Sequence, residues 1–208
     1  MVDIDRMFEE SARLIAEVAA NPQPIVQGMS KWLDYCASVA PAHEDVWAQL
    51  RKLDFENDQR LLTEWLSQLL TAEPPADDIN GFWFGLFNPC NDDGEASCQT
   101  YLGGSSDFNP DSDSDEWVCN LSYSPKGRYA NSLILPEIYT LVDSIGDDED
   151  NVSYLGEAFL CHGFLALVIS NWCHGAMKAH LLGKAKSRAV VMGHDSGDFY
   201  RMAVLSNG

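Results

Sequence analysis

The chain has 208 residues, 46% of them apolar, with a formal net charge of −19 and a pI near 4.3. That length and apolar content suit one domain with a substantial core and exclude wholesale disorder. Such acidity opposes binding to nucleic acid or anionic membranes and favours cationic partners.

The charge is regional. Residues 1–60 carry eleven acids and six bases, and residues 178–208 carry two acids and five bases. Residues 61–177 carry nineteen acids against only Lys126 and Arg128, a local balance of −17. Six cysteines, at 36, 90, 98, 119, 161 and 173, form no CxxC pair and no zinc-site spacing, so buried packing is their expected role. Asp3, Asp5, Glu9 and Glu10 make the start unlike a signal peptide. The expectation is a cytoplasmic protein with reduced thiols.

Asp3 is placed to cap a first helix, whose apolar positions Ile4, Phe8, Ile15 and Val18 repeat at about 3.6 residues and which ends at Asn21-Pro22. A second helix starts near Pro24, with Met29, Trp32, Leu33 and Cys36 on one face. Pro41 opens a short third helix carrying Val46, Trp47, Leu50 and Leu53. A fourth, over about 57–72, has a broad stripe that includes Leu62, Leu66 and Leu69. The tryptophans of this helical third read as core or interface residues.

After Pro74-Pro75 the period changes. Gly81–Pro89 (GFWFGLFNP) is apolar on both alternating faces, which suits a central strand covered on both sides. The turn at 91–94 leads to a returning strand at Cys98–Leu102, bringing Cys90 near Cys98, a pair expected to stay as two thiols. The segment 105–116 (SSDFNPDSDSDE) reads as a solvated loop. Its alternating acids invite a calcium reading, but it lacks the glycine at the sixth position and the acid at the twelfth. Glu116–Tyr123 alternates and predicts a third strand, with a helix over 133–145 to follow. An acidic cluster at 147–150 precedes the most apolar stretch of the chain, Val152–Leu182.

From Ala158 to Met177 that stretch contains no Asp, Glu, Lys or Arg. It is about as long as a bilayer span, which needs roughly 20 apolar residues. His162, Ser170, Asn171 and His174 interrupt it, however, and Glu157 closes its near end. The expectation is a buried scaffold helix whose Gly156 and Gly163 share a face that lets it approach a sheet closely. The repeated dipeptides Cys161-His162 and Cys173-His174 do not share a metal on one continuous helix. His162 and His174's neighbour Cys173 stand about 16 Å apart along its axis. Residues 188–194 and 199–206 then read as a closing hairpin.

This order predicts an α+β fold: a mostly antiparallel sheet of about five strands with packed helices and a helical N-terminal third. No linker or repeat divides the chain, so 1–208 reads as one domain, helical over 1–75 and sheet-bearing over 80–208.

Three fragments, GFWFGLFNP, Trp117…Tyr123-Ser124-Pro125…Arg128 and the terminal GHDSGDFYRMAVLSNG, resemble the layout of bacterial immunity proteins that neutralise polymorphic or contact-dependent toxins. The resemblance spans roughly 80–208. It implies a cytoplasmic, non-enzymatic protein that binds and blocks a cognate toxin, with no cofactor. Partner-binding residues differ between such families, so none is carried over.

The charge points to the same class of partner, a basic toxin surface. The candidate partner-binding residues are Asp107, Asp111, Asp113, Asp115 and Glu116, with Asp147, Asp148, Glu149 and Asp150. No metal, direct nucleic-acid or membrane contact is expected. Three other readings fit the residues: a hydrolase using His194 with Asp195 or Asp198, a small-ligand sensor with Trp83 and Trp117 lining its pocket, and a DNA-mimic inhibitor.

Overall fold

The helical third forms where its apolar period places it. In the computed structural model, which describes all residues except 91–93, 95, 113, 146–149, 196, 198 and 207–208, α1 spans Ile4–Ala20. The Asp3 carboxylate caps it by accepting from the Arg6 amide at 3.2 Å. Helices α2 (Ile25–Val39), α3 (Glu44–Leu50) and α4 (Phe55–Ala72) follow, the last capped by Asp54.

The sheet has four strands, β1 (Gly81–Phe87), β2 (Gln99–Ser105), β3 (Ser187–His194) and β4 (Tyr200–Ser206), in the order β2-β1-β3-β4. Its outer pairings are antiparallel and its central pairing, β1 with β3, is parallel. β1 is buried on both faces, as its unbroken apolar run requires. Phe82, Phe84 and Leu86 join the main core with the helices. Trp83 points the other way, into a smaller cluster with Phe108, Trp117, Val118, Ala189 and Val191.

The fifth strand, expected at Glu116–Tyr123, is not formed. Residues Glu116–Cys119 make a 3₁₀ turn, and Ser122 to Ala130 then follow the free edge of β2 through isolated bridges at Tyr123 and Tyr129. The reason is steric. Gly81 and Gly103 leave pits in the outer face of the sheet, and Trp117 and Leu121 fill them; a Cβ at either glycine would lie 2.6 Å from the ring or the methyl. A flat strand does not seat both side chains at once.

The apolar stretch is also not one helix. It runs as a 3₁₀ turn at Val152–Leu155, a π-helical turn at Gly156–Cys161 and the helix α6 at His162–His174; after Gly175 comes the short α7, Lys178–Leu182. Before it, α5 occupies Ile134–Asp143. Val152–His174 is long and apolar enough to cross a membrane by length and composition, yet 78% of its most apolar window is buried inside the protein. α6 lies between the sheet, where Trp172 meets Phe84, and the N-terminal helices.

Its glycines do not face the sheet, in contrast to the expectation. Gly163 receives the indole of Trp32 from α2, while Gly28 of α2 receives Leu167 from α6, a reciprocal pair of knobs and holes. Gly156 faces Val142 of α5. A second tie is polar. The fully buried Asp58 of α4 accepts from the Ser132 hydroxyl at 2.6 Å and from the Leu133 and Ile134 amides at 2.9 and 3.2 Å, so one helix caps the start of another.

A Cβ at residue 163 would stand 2.5 Å from the Trp32 ring. Gly163→Ala is therefore expected to destabilise the fold by about 1–3 kcal/mol, through the strain of overpacking. Thermal melting of the variant beside the parent chain measures this.

Candidate functional site

Strand alternation at the end of β3 sends adjacent residues to opposite faces of the sheet. His194 turns towards the helices and Asp195 towards the outer face, so the carboxyl ends of the central parallel strands feed two cavities.

On the outer face, an open groove of about 640 Å³ runs between Trp83 and Tyr101 on the sheet, Leu121 on the acidic segment and Phe199 at the foot of β4. The Trp83 indole donates to the Tyr101 hydroxyl at 2.9 Å, and that hydroxyl donates to Asp195 Oδ1 at 2.7 Å. The ring of Phe199 stands edge-on to Trp83 with centroids 5.8 Å apart. Asp195 and Phe199 are exposed, and no lysine or arginine lines the groove among the described residues.

The acidic segment forms one wall and is fixed at several points. Asn80 bonds both the amide and the carbonyl of Phe108, whose ring meets Trp117 at 6.0 Å. Arg201 of β4 forks onto Asp115, its Nε and Nη2 at 2.9–3.2 Å from the carboxylate, and Asp115 also accepts from the Trp117 indole at 3.0 Å. Asp115 therefore serves as an anchor for the segment. Asp107, Asp111 and Glu116 are exposed on the same segment, with Asp107 held by the Asn120 amide.

Of the second acidic cluster, Asp147, Asp148 and Glu149 lie outside the described residues, as does Asp113 of the first. Asp150 lies on the helical side, where its carbonyl accepts from Val2 and its carboxylate from the Val152 amide. The structure thus leaves Asp107, Asp111 and Glu116 exposed on the stretch that leads into the groove wall at 118–121, none of them lining the groove itself, and places Asp150 on the helical side.

On the inner face, His194 meets a carboxylate other than the expected one. Asn88 uses its amide N–H groups on Ser97 O and Glu157 Oε2, so its Oδ1 is the acceptor that faces His194. His194 Nε2 therefore carries the proton, donating to Asn88 Oδ1 at 2.7 Å with Glu157 Oε1 3.1 Å away. Asp195 is engaged by Tyr101 instead, and Asp198 lies outside the described residues. Glu157 reaches this position from the π-helical turn, a feature common at functional sites.

Tyr101, Asn88 and Glu157 were not among the sequence candidates. The one visible signal was Glu157, the lone acid at the mouth of the apolar run. The six cysteines are free, and the buried Cys161 thiol donates to the Leu135 carbonyl at 3.8 Å. Among the described residues no three His, Cys, Asp or Glu side chains gather as a metal site. No protein-family model, curated protein or solved structure matches the chain.

Burial, reinforced by the bond to Asp195, pushes the Tyr101 phenol up to about 12. An unfolded phenol ionises near 10. As pH rises from 10 towards 12 the unfolded chain loses this proton while the folded one keeps it, so stability present below pH 10 is lost across that window. Tyr123, also raised to about 12 by burial, contributes in the same direction. Urea midpoints at pH 9 and 11 are expected to drop more for the parent chain than for Tyr101→Phe.

Proposed function

We propose that this chain is an acidic binding protein that captures a cationic protein surface on the outer face of its sheet, and that its partner is a basic toxin which it neutralises. The observation that carries the reading is the groove itself. It joins aromatic faces and a carboxylate oriented by Tyr101, with no lysine or arginine lining it among the described residues, and the acid-rich stretch that ends at Glu116 leads into its wall at 118–121.

Each part has a physical task. Trp83, Tyr101 and Phe199 offer ring faces and edges against which a guanidinium or ammonium stem packs, and Asp195 supplies the charge that fixes its head. Aromatic anchors surrounded by a charged rim are the usual make-up of an energetic centre in an interface. Asp107, Asp111 and Glu116 act at longer range, steering a basic partner and raising its association rate. Because Asp115 and Arg201 neutralise each other, the wall of the groove keeps its shape while its outward charge stays negative. The resemblance to immunity proteins supplies the identity of the partner, and the composition of the groove supplies its chemistry.

The test is calorimetric titration against the purified product of the adjacent gene at 50 and 500 mM salt. Tight binding that weakens as salt rises is expected, with Asp195→Asn costing about tenfold in affinity, equivalent to about 1.4 kcal/mol. Absence of binding, or binding indifferent to both salt and Asp195→Asn, removes the reading.

A further inference from the structure

The inner cavity, on the helical side of the sheet, shares only His194 with the docking groove and otherwise has its own composition. It encloses about 290 Å³ beneath the π-helical turn, at the lower end of the range for small-molecule sites. Tyr139, Tyr154 and Phe8 supply its aromatic wall, Glu157 and Asp143 its carboxylates, and His162 and His194 its imidazoles, with no lysine or arginine lining it among the described residues. We propose that this cavity is a binding site for a small organic cation, an ammonium or guanidinium group carried on a short apolar stem.

The geometry of Glu157 supports this. Its side chain is about one-third exposed, and each oxygen already meets one donor, Oε2 the Asn88 amide at 2.8 Å and Oε1 His194 Nε2 at 3.1 Å. A carboxylate oxygen accepts two such bonds, so each retains one acceptor position while the existing pair holds the group still. The π-helical turn carries Glu157 and Ala158 on the cavity wall, and the His162 ring secures that turn by donating from Nδ1 to the Glu157 carbonyl at 2.9 Å.

Asp143, exposed at the end of α5, places a second negative charge at the rim, and Tyr154, also exposed, stands at the mouth. Tyr139, Asp143 and Glu157 line the same cavity, and the Tyr139 phenol is pushed upward by burial and then by the charges of those two carboxylates. Aromatic faces beside carboxylates attract a desolvated cation and reject an anion of the same shape.

The test compares benzylammonium, benzyl alcohol and benzoate, three probes of nearly equal size that differ in charge, by titration calorimetry on the full chain. Benzylammonium is expected to bind about tenfold or more tightly than benzyl alcohol and benzoate not at all, with a matching rise in melting temperature. Glu157→Gln and Asp143→Asn should each weaken benzylammonium by about tenfold. Asp143 is exposed, so its variant keeps the test valid should Glu157→Gln fail to fold. Equal binding of benzyl alcohol, no binding of benzylammonium, or binding unaffected by Asp143→Asn would overturn the proposal. So would loss of benzylammonium binding through Asp195→Asn alone, since that places the amine in the outer groove.

Discussion

The rest of the structure depends on a helix that has no polar face. From Phe164 to Ile169 every residue of α6 is fully buried, so apolar partners must surround it on all sides. The sheet supplies one side through Phe84, and α1 and α2 supply the other. The Trp32–Gly163 and Leu167–Gly28 interlock sets how closely α2 approaches. Asp58 then ties α4 to the start of α5 through three hydrogen bonds. Helices, α6 and sheet are thereby stacked as layers, and the inner face of the sheet is covered except at the cavity by His194.

That occupation leaves the outer face as the place where the most acidic part of the chain is laid down. The acidic segment and the turn after it pack on part of that face, using Trp117 and Leu121 as plugs and Arg201 as a clasp. The groove lies beside it. Because His194 and Asp195 are neighbours on one strand, the same strand end orients a carboxylate outward and an imidazole inward. The two cavities are consequences of one alternation, though they differ in volume and, apart from His194, in the groups that line them.

Much of this was legible in residues 1–90. The cap at Asp3, the helix stripes and the doubly buried β1 follow local rules of period and turn chemistry, whereas the start of α4 at Phe55, capped by Asp54, was placed two residues late. The closing hairpin was legible for the same reason. The strand expected at Glu116–Tyr123 was misread because its alternation is real but is overridden by two glycine pits on strands far away in sequence. The apolar stretch was identified as buried, but not its π-helical turn or its break after Gly175, since composition carries no register. Asp115 shows the same limit for the site. It looks like its acidic neighbours in the sequence, and only the fold reveals Arg201, 86 residues away, forked onto it.

Hydrogen exchange of the chain, alone and bound to the product of the adjacent gene, tests the docking surface most directly. The account predicts slowed exchange in the far ends of β1 and β3, in the 116–121 turn and in the 194–199 connection, with α1 to α4 unchanged. Protection confined to α1 to α4, with the outer face of the sheet exchanging as in the free chain, would contradict it.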